Sequence, residues 1–353
     1  MHIFITGGAG FIGSQLVEYH ILAGDKIHVV DNLSTGSKKN ILPFLDHPDF
    51  RFSEADILTW PDLGIAVAWA DRIYHMAALV GVFKVLKDPI KVLSINIAGT
   101  ERLLRSAQMG NWNPQIIIAS TSEVYGHGLH CKHFCEYRDD LNLERADIDA
   151  RRPYPVAAFN EDMEPMVGSS AVSRWNYSIS KLADEAFGLS YARSFGMNIT
   201  VVRLFNTIGP GQTGRYGMVV PRFVEQAVNG GPITVYGDGL QTRSFCDVRD
   251  TVKSLDLLAD NPASAGEIVN VGNDREISIK GLAEVIKERS RSDSPIIYTP
   301  YREAYGEDFE EVYNRKPNLD KLFKLTKFKN LWTLEETIDD LIARARQTPE
   351  KTD

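Results

Sequence analysis

Thr6-Gly7-Gly8-Ala9-Gly10-Phe11-Ile12-Gly13 is the stretch on which the fold turns. An apolar run, Ile3-Phe4-Ile5, precedes it and reads as a strand. A helical pattern follows, with Phe11, Ile12, Leu16 and Val17 as its apolar stripe. Strand, glycine turn and helix in this order form a dinucleotide-binding unit. Gly7 permits the tight turn, Gly10 lets the backbone approach a pyrophosphate, and Gly13 lets helix and strand pack closely. The helix N-terminus offers unpaired N–H groups and the positive end of its dipole to the phosphates. The next apolar run, Ile27-His28-Val29-Val30, ends in Asp31, where such folds place a carboxylate for the adenosine ribose. A carboxylate there accepts hydrogen bonds from the ribose hydroxyls and repels a 2′-phosphate, which favours NAD over NADP.

The bulk numbers set the bounds. The chain has 353 residues, 43% hydrophobic and 24% charged, with a formal net charge of −8. That length suits one large α/β domain plus a smaller one. The negative charge argues against a general nucleic-acid binder. No apolar run approaches the roughly 20 residues of a membrane span. Three cysteines, Cys131, Cys135 and Cys246, do not make a disulfide framework. With a core strand at the very N-terminus and no secretory pattern, the expectation is a soluble cytoplasmic protein.

Strand and helix patterns alternate through the first half. Further strands are expected at 51–55, 71–75, 115–119 and 199–204, with amphipathic helices at 90–108 and 174–195. That rhythm is the mark of a Rossmann-type, doubly wound parallel sheet. After residue 205 the pattern changes. Residues 206–217 read as an ordered loop over a site, followed by helices at 219–229, 250–259, 279–288 and 334–344 and strands at 233–236 and 267–271. The expected organisation is a dinucleotide-binding domain over 1–205, with an insertion at 127–172 and returning segments near 240–272. A smaller C-terminal α/β substrate lobe spans 206–353.

Tyr177 and Lys181 sit four residues apart in a helical segment and share a face. A neighbouring ammonium favours a phenolate, so Lys181 is expected to lower the pKa of Tyr177 and make it a base for a sugar hydroxyl. Upstream, Ala119-Ser120-Thr121-Ser122-Glu123-Val124-Tyr125-Gly126 follows an apolar strand, at the carboxyl end where doubly wound sheets bind ligands. Thr121 is placed to share a hydrogen bond with the Tyr177 phenol, and Glu123, beside Ser122, is a candidate general acid or base.

With these residues in view, the chain resembles the extended short-chain dehydrogenase/reductase family of nucleotide-sugar enzymes over nearly its whole length. The resemblance rests on Thr6 to Gly13, Asp31-Asn32-Leu33-Ser34-Thr35-Gly36, Asp56-Ile57, His75-Met76-Ala77-Ala78, Asn96 and Thr121 to Gly126. It continues through Tyr177-Ser178-Ile179-Ser180-Lys181, Arg203-Leu204-Phe205-Asn206, Tyr236-Gly237-Asp238-Gly239 and Gln241-Thr242-Arg243-Ser244-Phe245. It implies a tightly held NAD, reduced and reoxidised within one turnover, and oxidation at the sugar C4. By the same likeness Gly7, Gly10, Phe11, Ile12, Gly13, Asp31, Asn32, Asp56, Ile57, Ala77, Asn96, Tyr177 and Lys181 lie at the coenzyme. Asn206, Val219, Tyr236, Gln241 and Arg243 hold a nucleotide diphosphate-sugar. A guanidinium such as that of Arg243 suits a diphosphate on physical grounds too.

A 4-keto sugar opens three routes: epimerisation, 4,6-dehydration and decarboxylation. Thr121-Ser122-Glu123 resembles the UDP-glucuronate decarboxylases, although some dehydratases share it. Asn314-Arg315-Lys316-Pro317-Asn318 resembles the decarboxylase of the aminoarabinose–lipid A pathway, with Arg315 either on a sugar carboxylate or on the diphosphate. The expectation is therefore decarboxylation of a UDP-hexuronic acid, UDP-glucuronate first, catalysed by Thr121, Ser122, Glu123, Tyr177, Lys181 and Arg315. A 4,6-dehydratase, a 4-epimerase and a catalytically silent nucleotide-sugar binder are the alternatives. His127, His130, Cys131, His133 and Cys135 crowd the insertion, but their spacing matches no standard zinc site, and no metal is expected. The helices at 90–108 and 174–195 match those that pair into a four-helix bundle in family dimers, implying a homodimer.

Overall fold

The computed structural model describes residues 1–126, 158–214, 217–305, 310 and 312–347. The insertion's His/Cys cluster, His127 to Cys135, lies outside the described residues.

The centre is a seven-stranded sheet. Its strands are β1 (His2–Thr6), β2 (Lys26–Asp31), β3 (Phe50–Glu54), β4 (Arg72–His75), β5 (Gln115–Thr121), β6 (Ile199–Leu204) and a returning strand, Ile268–Val271. Their order in space is Ile268–Val271, β6, β5, β4, β1, β2, β3. Every neighbouring pair is parallel. Such a sheet must be covered on both faces, which is why its strands are near-continuous Val/Ile runs. Ile3 and Ile5 of β1 pack on one side, with Leu16 and Val17 of the Phe11–Leu22 helix and Val252 and Leu255 of the Val248–Asp260 helix. Phe4 points the other way, into a core with Leu63, Val67, Leu103 and Leu104. The smaller lobe has its own core, where the Val219–Val228, Ile279–Ser290 and Leu334–Gln347 helices meet through Phe223, Leu282, Ile286 and Ile338.

The strand order reverses between β1 and β4, and that switch point fixes where a ligand can lie. The chain passes through it at Gly7. Its φ of +72° lies in the left-handed region, and a Cβ there would sit 2.7 Å from the Ala77 amide nitrogen. A Cβ on Gly13 would sit 2.3 Å from the Gly7 carbonyl oxygen, so the helix packs on the turn only as glycine.

Among the departures from the sequence reading, two bear on the sheet and the site. The Leu63–Trp69 helix between β3 and β4 has no counterpart in it, because Leu-Gly-Ile-Ala-Val-Ala-Trp is apolar all round and shows no period. The expected helix from 174 instead begins with one 3-10 turn, Ser173–Trp175, before the α-helix Asn176–Phe195.

A buried charge network ties this helix to the sheet. Glu185 accepts from Ser120 Oγ at 2.6 Å and from Arg203 Nε and Nη2 at 2.9 and 2.8 Å. Arg203 also lies over the Tyr125 ring. Glu185→Ala leaves that guanidinium buried without its carboxylate. We expect a loss of about 3–5 kcal/mol of folding stability, read from urea denaturation midpoints.

Candidate active site

The switch point opens into a cavity of about 950 Å³ that runs from the glycine turn, past the end of β5, into the smaller lobe. At its first end lie Gly7, Gly10, Phe11, Ile12 and Gly13. Gly10 N donates to Gly7 O and Ser14 N to Gly10 O, which leaves the Phe11, Ile12 and Gly13 amides as the orphan donors of the first turn. No side chain caps this helix and its first turn holds no acid. Asp31 lies at the carboxyl end of β2 and lines the same cavity. It accepts from Ala9 N at 3.0 Å and Leu33 N at 2.8 Å, and so fixes the turn it faces. Asn32 donates to Asp56 at 2.9 Å, and Asn32, Asp56, Ile57 and Ala77 complete this wall. Unclaimed amides, an uncapped helix end and an inward carboxylate fit a dinucleotide.

Asn96 departs from expectation. It lies behind the wall, accepting from Leu79 N at 2.8 Å and donating to Ser180 Oγ at 3.0 Å. It props the loop after β4 against the Tyr177 helix.

Midway along the cavity stand Thr121, Ser122, Glu123, Tyr177, Lys181 and Arg315. Glu123 is held by two guanidiniums: Arg315 Nη1 donates to Oε1 at 3.2 Å and Arg174 Nη1 to Oε2 at 3.3 Å. Burial opposes ionisation, yet Arg174 and Arg315 outweigh it and bring the Glu123 carboxyl down to about 2. Arg174 is a site residue the sequence reading missed. Placed three residues before Tyr177, it read as the first residue of a helix; the 3-10 turn is what directs it to Glu123.

The expected activation of Tyr177 by Lys181 is not what this arrangement gives. Lys181 Nζ donates to Asp184 Oδ2 at 3.0 Å. Burial and the charges of Glu123 and Asp184 push the Tyr177 phenol above its ordinary value, against a hydrogen bond with Thr121. The ammonium is matched by the buried carboxylate of Asp184.

The far end belongs to the smaller lobe. Asn206, Val219, Tyr236, Gln241 and Arg243 line it, together with Arg222, Tyr301 and Tyr305. Arg222 lies over the Tyr236 ring at 3.9 Å, and among the described residues its Nε and Nη1 have no hydrogen-bond partner. Tyr305 meets Tyr236 edge-on at 5.3 Å. Nothing in the sequence around Arg222, Tyr301 and Tyr305 signalled a shared wall.

Residues 3–272 match the NAD dependent epimerase/dehydratase family. A relative from Bacillus cytotoxicus, named UDP-N-acetyl-alpha-D-glucosaminuronate decarboxylase, is 34% identical over 345 residues, 97% of each chain. UDP-glucuronic acid decarboxylase 1 of Arabidopsis thaliana is 30% identical over 98% of this chain and 70% of that protein. Among solved structures, the UDP-glucose 4-epimerase of Thermotoga maritima, determined with UDP-glucose, superposes with a TM-score of 0.81 at 26% identity, covering 99% of this chain and 100% of the other. The chain therefore belongs to the NAD-dependent epimerase/dehydratase family of extended short-chain dehydrogenases/reductases, and it is an NAD-dependent enzyme.

Because the Glu123 pKa is depressed in the folded state, its stabilising contribution is present above the unfolded carboxyl value and lost as pH falls through about 2. The stability difference between the protein and its Glu123→Gln variant is expected to hold steady from neutral pH down to about 4.3, then narrow with further acid, as urea titrations at stepped pH will show. A difference that widens in acid contradicts the ion cluster.

Proposed function

We propose that this enzyme decarboxylates a UDP-linked hexuronic acid, UDP-glucuronate first, by way of a 4-keto sugar. The observation that carries this is the cluster at the end of β5. A carboxylate and two guanidiniums, Glu123, Arg174 and Arg315, stand in one cavity with Tyr177 and Lys181. Two relatives named for UDP-hexuronate decarboxylation, similar over almost the whole chain, support it.

In this reading Tyr177, hydrogen-bonded to Thr121, takes the proton from the sugar O4, with Ser122 beside the same hydroxyl. When bound, NAD would supply the hydride acceptor for oxidation at C4 and the hydride donor for the final reduction of the ketone. Arg315 and Arg174 orient the substrate carboxylate, whose carbon–carbon bond breaks to release CO2 while the C4 ketone takes up the electron pair. Glu123, held ionised by its arginines, is suited to orient a water for protonation at C5 rather than to donate its own proton. An ionised Glu123 also suits removal of a C5 proton, so 4,6-dehydration is the second reading, and 4-epimerisation the third. Gly7, Gly10, Phe11, Ile12, Gly13, Asp31, Asn32, Asp56, Ile57 and Ala77 would hold the coenzyme. Asn206, Val219, Tyr236, Gln241 and Arg243 would hold the UDP. On this assignment residues 1–205, with the strand returning at 268–271, form the coenzyme domain, and most of 206–353 serves the substrate.

With UDP-glucuronate, or its 2-acetamido counterpart, the expected product is lighter by one CO2. A product lighter by one water supports dehydration instead, and an unchanged mass points to epimerisation. Tyr177→Phe is expected to lower kcat by roughly 10²–10⁴-fold with the fold intact.

The same proposal includes a homodimer built on the Pro89–Met109 and Asn176–Phe195 helices, working in the cytoplasm. The two helices pack together, and Ile90, Met109 and Phe195 are 76%, 76% and 56% exposed. Among the described residues no helix is long and apolar enough to cross a membrane. Light scattering at micromolar concentration is expected to give twice the chain mass; a monomer contradicts the assembly.

A further inference from the structure

Asp184 stands one turn beyond Lys181 on the same helix. Its exposure is 0% and that of Lys181 is 2%. The Lys181 ammonium donates to Oδ2 at 3.0 Å, and among the described residues Oδ1 has no hydrogen-bond partner. An apolar side chain would fill this position at lower cost, because a buried ion pair rarely repays its desolvation. Asp184 is therefore poorly explained as a packing residue, and its ion-pair partner is the lysine that faces the cavity beside Tyr177.

We propose that Asp184 is a positioning residue of the reaction: it holds the Lys181 ammonium, offsets its charge, and so sets the pH at which Tyr177 gives up its proton. The inference rests on the reading that Tyr177 is the base of C4 oxidation. The groups facing this pair come from four elements. On the same helix Glu185 is matched to Arg203. On β4, His75 is buried and pushed down to about 3, hence neutral, with Thr6 and Thr100 hydroxyls on its two ring nitrogens. Burial pushes the Asp184 carboxyl up, opposed first by the Lys181 ammonium and then by a hydrogen bond with Thr100 of the Pro89–Met109 helix, both of which favour its charged form. At the end of β5, Thr121 bonds Tyr177, and Glu123 is matched to Arg174 and Arg315. Lys181 and Asp184 thus cancel beside the phenol. Without the Asp184 charge, the Tyr177–Lys181 pair carries a net positive charge and sheds its first proton at lower pH, whichever of the two groups releases it.

The test is Asp184→Asn in the full-length protein, with two readouts. The first is tyrosinate absorbance during alkaline titration, with Tyr177 isolated by subtracting the same protein carrying Tyr177→Phe as well. Its ionisation is expected about one pH unit or more below that in the unsubstituted protein. The second is the acid limb of kcat against pH with UDP-glucuronate, expected to move the same way, while Asp184→Glu keeps the limb in place. A folded Asn variant whose Tyr177 titration and acid limb are both unmoved overturns the proposal and leaves Asp184 as scaffold. Asp184→Ala carries the same comparison if the Asn variant does not fold. If no hexuronate releases CO2, the proposed reaction fails, yet the absorbance titration still decides the role of Asp184.

Discussion

One carboxylate shared by two guanidiniums holds the centre of this molecule. Glu123 sits on the 3-10 turn after β5, Arg174 on the lead-in to the Tyr177 helix, and Arg315 on a segment that arrives from the far end of the chain. Three distant pieces of backbone therefore meet at one anion. The meeting is braced from behind. Tyr125 donates to Asn270 Oδ1 at 2.7 Å, and Asn270 Nδ2 donates to Phe159 O at 2.9 Å. Phe159 N donates to Lys316 O at 2.7 Å, next to Arg315. The ring of contacts closes on Glu123, so the charge cluster and the path of the backbone specify each other.

From that centre the cavity divides its work by chemistry. Towards the glycine turn the wall offers backbone amides at an uncapped helix end and one inward carboxylate, Asp31, which are general features of dinucleotide sites. Towards the smaller lobe the wall is aromatic and guanidinium surface, Tyr236, Tyr301, Tyr305 and Arg222. Only the middle carries formal charges of both signs near a titratable phenol. Differences in reaction among proteins of this fold are expected to reside there, since the fold itself does not fix the chemistry.

Much of this was legible in the chain because it is written in local pattern. β6 and the strand at 233–236 fall on their expected bounds, and the glycine turn lies at the switch point, since both follow from short-range periodicity and sterics. The residues expected at the coenzyme line one wall, with Asn96 displaced to a prop behind it. What escaped reading depends on contacts distant in sequence or on turn geometry. Arg174 reaches Glu123 because a 3-10 turn replaces a helical one. Asp184 meets Lys181 where an i,i+3 pair looks like any solvated helix face until burial is known. Tyr301 and Tyr305 come to the cavity on a five-residue helix with no periodic signal.

The most direct measurement is the hydrogen at sugar C5 after turnover of UDP-glucuronate in heavy water, read by NMR. Decarboxylation through a C4 ketone predicts a pentose product carrying one solvent deuteron at C5. A six-carbon product that keeps its carboxyl group and its original C5 hydrogen contradicts the account.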